Sequence, residues 1–529
     1  VSALLVQGAQ PALLGHISFP TSGSAAAQPA FIRGVLLLHS FEYDDAIAAF
    51  RDAERLDSAF AMAYWGEALS YFQPMWRNED VAKARAALAR LAPTAAARQA
   101  RAPTAREKAY LDALERLAGQ GDQPARARAY AVRMEQLVRA YPADDEAAAF
   151  CALALLATIP EGERNPAVSL KAGAMASAVL ERNPQHPGAA HYALHAYDDG
   201  EHAAMGLTAA RIYAKIAPAS SHARHMPSHV FLPLGMWDDA VASDESAYAV
   251  SVERAKRLGL SAAQHDFHAL AWLHYEYLQQ GRFARARGLV QEVERAMAAA
   301  PAPSGASAMP AGHDHVESEI GRGFGAVALK SERASMLARA IVESGRWEEM
   351  KGRGNFDNVD ELFVLGLASV SLGDEARAEA AFDQMDGARR AAPDQDNREI
   401  AQIMSAEIAG VLQLARGQKG EGLATLAKGA RLEALRPRPI ARPFPIKPAT
   451  ELYAESLLSA GDAAGAVAQF QASLARTPRR ARSLLGLARA FEAAGQHANA
   501  AKTAREFLAM WHLADADRPE LAEAKRLAR

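Results

Sequence analysis

The chain has 529 residues, half of them apolar, and 59 Lys and Arg against 62 Asp and Glu give a net charge of −3. That composition allows a large buried core, and the near-neutral balance offers no basic surface for nucleic acid or for an anionic membrane. One cysteine, Cys151, excludes an internal disulfide framework and every Cys-rich zinc module.

Residues 1–30 carry Pro, Gly and Ser with little periodicity and read as an extended N-terminal segment. The chain begins at Val1, as it would after removal of an export signal, so the expectation is an exported, periplasmic or secreted protein, with a cytoplasmic one as the alternative. From residue 31 onward Ala, Leu, Arg and Glu recur at helical spacing and strand signals are nearly absent. The first elements, LLLHSFEYDDA at 36–46 and AMAYWGEAL at 61–69, contain His39, Trp65 and Glu67; Trp76 follows in SYFQPMW at 70–76. The longest apolar run, Ala147 to Pro160, is 14 residues and too short to cross a bilayer.

Twelve of the 16 histidines then fall between His186 and His315, about a quarter of the chain. HPGAAHYALHAYDD, residues 186–199, has Pro187 where a helix would start, which puts His191 and His195 one turn apart on one face with Asp198 near the same stripe. Tyr197 in the same motif is a groove-lining candidate. HARHMPSHVF, residues 222–231, has Pro227 at a second helix start, so His225 and His229 would converge at its N-terminus. Two imidazoles at i and i+4 can chelate one ion, and two such pairs on neighbouring helices would supply four nitrogens, with Asp198 as a direct or outer ligand. An all-imidazole set favours a divalent transition metal, zinc or copper foremost, over magnesium or calcium. His39, His222, His265, His268 and the pair His313 and His315 are secondary candidates. Taken singly, each histidine is more readily a buried hydrogen-bonding residue or a helix cap. The clustering is what that reading explains poorly, although a proton-sensitive patch would also cluster imidazoles.

Residues 299–323 are rich in Pro, Gly and Ala and read as a long loop. GRGFGAVALKS, 321–331, lacks the glycine before Lys330 and any preceding strand, so no nucleotide site is expected. No HExxH and no GxSxG motif occurs. Residues 436–448, RPRPIARPFPIKP, should be extended, as a linker between helix pairs or, more sharply, as an arm lying in a groove.

The same turn recurs along the chain. Gly461 is followed by Ala466 and Phe470, and Gly495, 34 residues later, by Ala500. Phe41-Glu-Tyr43, Gly235-Met-Trp237 and Gly281-Arg-Phe283 each lead into an alanine-bearing helix, and Gly373 leads to Ala378 and Phe382. A 34-residue period resembles the tetratricopeptide repeat (TPR) superfamily. The resemblance implies an all-α, right-handed TPR-like α-solenoid, a superhelix of antiparallel helix pairs with irregular repeats, as an array over 31–298 and another over 324–529. The histidine motifs, with LLLHSFEYDDA and AMAYWGEAL, also resemble a group of bacterial TPR-domain proteins, best over residues 10–300; Gln73 departs from it where a His is expected.

Two functions follow. One is a metal-dependent enzyme, hydrolytic or oxidative, acting on a small molecule or peptide in the solenoid groove. His191, His195, His225, His229 and Asp198 would hold the metal, Glu67 would serve as general base, and Trp65, Trp76 and Tyr197 would line the groove. The other is a non-catalytic scaffold that binds a peptide or protein partner.

Overall fold

A computed structural model describes residues 13–160, 163–299, 326–354, 356 and 358–529. It is an all-α solenoid. Helices follow one another from Gln28–His39 to Pro519–Leu527, and the strands among the described residues are one short hairpin, Phe72–Gln73 paired antiparallel with Asn78–Glu79. Links of a few residues, as between Ala463–Arg476, Ala481–Ala493 and His497–Met510, force consecutive helices to run back against each other. Each helix packs on the next and many on the next but one, which is how a solenoid shares its core between neighbours.

The repeat turns have the backbone their residues predict. Gly235, Gly281, Gly373, Gly461 and Gly495 sit at φ between 67° and 87°, the left-handed region that glycine enters without a Cβ penalty. Phe41 holds the corresponding place in the first repeat at φ 58°. Small residues let the paired helices close. A Cβ on Gly66 would lie 2.3 Å from the Phe50 ring, and one on Gly486 would lie 2.4 Å from Phe470.

From Leu14 to Ala27 the lead-in is a strap without helix. Leu14, Ile17 and Phe19 are buried, and the His16 N–H donates to the Gln185 carbonyl at 2.9 Å. The Pro-rich stretch 436–448 is non-helical, as its prolines dictate, and lies across other elements as an arm. Arg442 donates to Glu332 at 2.8 Å, Arg339 donates to the Pro443 carbonyl at 3.1 Å, and Ile446 and Lys447 are buried.

The array also folds back on itself. Trp237 Nε1 donates to the Arg479 carbonyl at 3.0 Å, Trp511 Nε1 to the Gln279 carbonyl at 2.8 Å, and the Asp515 N–H to the Gly281 carbonyl at 3.1 Å. One hydrophobic cluster accordingly joins Trp237, Tyr275 and Phe283 to Leu484, Phe507 and Trp511. No described helix is long and apolar enough to cross a membrane.

Candidate metal centre

The helix Pro187–Ala196 starts where Pro187 fits the first turn, and His186 caps it by accepting the Ala189 N–H at 3.1 Å. His191 and His195 therefore stand one turn apart. The second motif starts a helix at Pro227, as expected, with His225 and His229 meeting at its N-terminus, and a further short helix precedes it. Ser220 caps a short helix, Ser221–His225, and a second short one, Ser228–Phe231, follows Pro227. His222 and His225 stand three residues apart on the first short helix and face different neighbours, while His229 on the second meets His225 across the break. His268 comes from the first turn of Phe267–Gln279, which is capped by Asp266.

The four histidines expected to surround one ion are thus divided between two trios. His191, His195 and His222 form one, and His225, His229 and His268 the other; within each, one ligand atom per residue lies within 4.8 Å of the rest. In the first, His191 Nε2 is 2.8 Å from His222 Nε2 and 3.0 Å from His195 Nε2. In the second, His225 Nε2 and His229 Nε2 are 3.0 Å apart. Two imidazole nitrogens on one ion at roughly 2.0–2.1 Å would stand about 2.9–3.4 Å apart for angles near 90–109°. The trios are also neighbours, because charge on His225 or His229 disfavours charge on His222.

The opposite ring nitrogens decide what those Nε2 atoms can be. His191 Nδ1 is 2.6 Å from the His39 carbonyl, which can only accept, so the proton is on Nδ1 and the Nε2 lone pair is free to point at its neighbours. His229 Nδ1 donates to Asp198 at 2.7 Å, and His225 Nδ1 donates to Asp244 at 2.6 Å. With both Nδ1 atoms protonated, His225 and His229 aim lone pair at lone pair across 3.0 Å. Such a contact is relieved by a proton or a metal ion. A proton is disfavoured: burial, reinforced by His229, drives His225 down to about 3, and burial takes His191 to about 3 as well. His195, His222 and His268 are held well below their ordinary values for the same first reason, burial. Neutral imidazoles oriented by a carbonyl and two carboxylates are what a ligating set requires.

Aromatic rings wall each trio. Phe41 packs against His191 at 4.3 Å between ring centres and stacks on His195 and His222 at 5.7 and 5.6 Å, while Trp76 stands edge-on to the latter two. Trp272 stacks on His229 at 4.4 Å and meets His225 edge-on. Behind Asp244 lies Glu276, fully buried; burial and mutual proximity raise both carboxyls, and the hydrogen bond between them lowers Asp244 and raises Glu276, so the pair's proton sits on Glu276 and Asp244 is left to accept from His225.

A third group, His39, Glu146 and His186, is a hydrogen-bonded network of a different kind. His186 Nδ1 accepts a backbone N–H, so its Nε2 carries the proton and faces Glu146 at 3.3 Å. His39 bridges Glu146 at 2.8 Å and the Tyr192 hydroxyl at 2.9 Å. Burial opposes ionisation of Glu146, but His186 and His39 outweigh it and hold the carboxyl near 2. A Cβ on Gly188 would come within 2.2 Å of the His39 ring, so the group is closely packed. It holds the end of the helix Gln28–His39, whose His39 carbonyl orients His191.

Other expectations change. Of the two roles expected of Asp198, direct ligand or outer partner, its geometry fits the outer one, since it accepts from His229 Nδ1 at 2.7 Å. Glu67 is fully buried with one oxygen 3.0 Å from Arg51 Nε and the other on Arg90, so it is an ion-pair partner and not a base at the trios. Burial raises its carboxyl, but hydrogen bonds from Glu54 and Arg90 prevail and hold it below the ordinary value, which opposes proton abstraction. Trp65 is core, wedged edge-on against Phe19, Tyr110 and Phe150, and does not line a groove. Tyr197 is also core, packed so closely that a Cβ on Gly173 would meet its ring at 2.4 Å. His265 stays half-buried beside the Tyr248 hydroxyl, 3.4 Å away, outside both trios. His313 and His315 lie outside the described residues. Reading the sequence also missed Asp244, Glu276 and Trp272. Asp244 lies in DDAVASDESAY, where acidic residues look like a solvated face, and only packing against the short helices turns it inward.

No described protein family matches the sequence, and no curated protein matches it. Among solved structures, human IFIT1, as a dimer with m7Gppp-AAAA, is similar over 93% of this chain and 91% of its own at 12% identity and TM-score 0.32. A tetratricopeptide repeat protein from Parabacteroides merdae is similar over 58% of this chain and 98% of its own, at 14% identity and TM-score 0.29. The Cut9–Hcn1 hetero-tetramer of the APC/C is similar over 97% of this chain and 78% of the other, at 10% identity and TM-score 0.30. None of these likenesses bears on what this chain binds.

Proposed function

We propose that the chain is a metalloprotein holding two transition-metal ions, one in each histidine trio, and that it uses them as a metal-dependent enzyme on a small molecule. The observation that carries the reading is the His225–His229 contact, two oriented lone pairs 3.0 Å apart in a buried site. Three imidazoles per ion leave a coordination position for water or substrate, the arrangement of catalytic rather than structural sites. Zinc there would supply hydrolytic chemistry and copper oxidative chemistry, and imidazole ligands suit both. The two motifs by which the chain resembles the bacterial TPR-domain group supply most of the trios, so the reading would extend to proteins that carry them. A peptide-binding scaffold finds less support, because the chain's own 436–448 arm lies across the helices Phe267–Gln279 and Ala326–Ser344.

Elemental analysis of untagged protein, purified without chelator and then saturated with zinc or copper, tests the reading. The expected stoichiometry is two ions per chain, falling to one in His195→Ala and one in His268→Ala. Less than one ion per chain, unchanged by either substitution, would sink it.

A further inference from the structure

The two trios are alike in their imidazoles and unlike in the charge that stands behind them. In the second, His229 Nδ1 donates to Asp198 at 2.7 Å and His225 Nδ1 donates to Asp244 at 2.6 Å. Asp266 is a further carboxylate whose charge acts on His225. Arg442 also faces this trio, but Glu332 neutralises it at 2.8 Å.

The first trio has no such backing. His191 Nδ1 donates to a carbonyl, and His222 Nδ1 is buried with no hydrogen-bond partner among the described residues. The charges that act on His191, His195 and His222 are those of other histidines. Glu146 reaches this trio only through His39, and it is already engaged by His39 and His186. The walls are aromatic: Tyr213 stacks on His191 at 5.2 Å, Trp76 stands edge-on to His222 at 5.6 Å, and Phe41 covers all three rings. Phe41 does so from a left-handed turn position, φ 58°, that the equivalent turns give to glycine.

Charge taken out of water has to be compensated by its surroundings, and the demand grows with the charge of the ion. Carboxylates behind imidazoles supply that compensation and make the rings more basic, which suits a divalent ion. Neutral imidazoles inside an aromatic wall tolerate one positive charge better than two. Among the metals that imidazole suits, copper has a stable monovalent state.

We infer that the trios prefer different ions, with copper(I) held by His191, His195 and His222 and a divalent ion such as zinc held by His225, His229 and His268. This rests on the metal reading of the trios and adds which ion each one selects. The difference is one of affinity, so a single metal in excess still fills both.

The test gives metal-free full chain one equivalent each of zinc and of copper(I), under ascorbate and without oxygen, and measures both metals after desalting. Wild type retains one of each. His195→Ala loses copper and keeps zinc, whereas His268→Ala loses zinc and keeps copper, and the ion that stays shows that the variant is folded. Asp244→Asn weakens zinc about 10- to 100-fold in competition with a chelator and leaves copper(I) affinity, measured against bicinchoninate, unchanged. If circular dichroism shows either alanine variant unfolded, Asp244→Asn decides. The opposite assignment, retention of one metal to the exclusion of the other, or both metals falling together in each alanine variant overturns the inference. So does an Asp244→Asn protein in which copper(I) is weakened as much as zinc. Wild type that retains neither metal overturns the metal reading itself.

Discussion

At the scale of the residue, the centre depends on which nitrogen of each imidazole carries the proton. Asp244 fixes His225 and Asp198 fixes His229 from behind, so their own substitution reads out orientation rather than ligation. Asp244→Asn is expected to keep two ions per chain at saturating metal but to weaken the second site about 10- to 100-fold, measured by competition with a chelator. His274 offers a test of buried neutral imidazole away from the trios. It is fully buried, and burial, with Arg339 and Arg442 nearby, takes it down to about 3. The unfolded chain binds a proton there below about 6.5 and the native chain does not until about 3. Its contribution to stability is therefore present above about pH 6.5 and lost as the pH falls. In metal-free protein, His274→Leu should remove on the order of 1–2 kcal/mol of the stability difference between pH 7 and pH 5, read from urea unfolding. An unchanged difference would mean that His274 is already protonated in the native state.

At the scale of the element, the helices were legible and the bends between them were not. Pro187 and the i,i+4 spacing give His191 and His195 correctly, because both are local facts of one helix. The pairing with His222 instead of His225 depends on how the short helix Ser221–His225, which carries both, packs against Trp237–Leu258, and no local spacing encodes that. His268 could be named as a candidate, but its trio could not, since that depends on where Phe267–Gln279 packs. Glu67 shows the converse error. Its place in a histidine-bearing repeat suggested chemistry, and the arginines that neutralise it come from helices whose approach is not encoded in local spacing. Packing within a pair is more predictable. Gly66→Ala should destabilise by about 1–3 kcal/mol, because the new Cβ meets the Phe50 ring and both helices must shift. A thermal-melt comparison checks it, with Gly288→Ala as the control, since nothing lies within 4 Å of a Cβ there.

At the scale of the whole molecule, the C-terminal half is joined by a buried ion network centred on Arg480. Its guanidinium donates to Glu451 at 2.8 and 3.0 Å, to Glu343 at 2.7 Å and to the Tyr275 hydroxyl at 3.3 Å, while Lys447 pairs with Glu451 at 2.9 Å. The partners stand on three separate helices, Phe267–Gln279, Ala326–Ser344 and Ala449–Ser459. Arg480→Ala leaves Glu343 buried without its cation and Glu451 with Lys447 as its remaining close partner, and is expected to cost about 3–5 kcal/mol, whereas Arg480→Met with Glu451→Leu should recover much of that loss. Denaturant midpoints of the two variants distinguish the network from simple packing.

The fold-back of the last helices onto Trp237, Tyr275 and Phe283 also has a consequence for the order in which the protein is made. Synthesis releases the chain from its N-terminus, so every residue of both trios, the last being His268, emerges when about half the chain is still to come. Trp511 and Asp515, which cover Gln279 and Gly281, emerge almost at the end. In the interval a nascent chain carries a complete ligand set beside an uncovered aromatic patch. On the proposed metal reading, capture of an ion can precede release from the ribosome, whereas protection of that patch needs nearly the whole polypeptide.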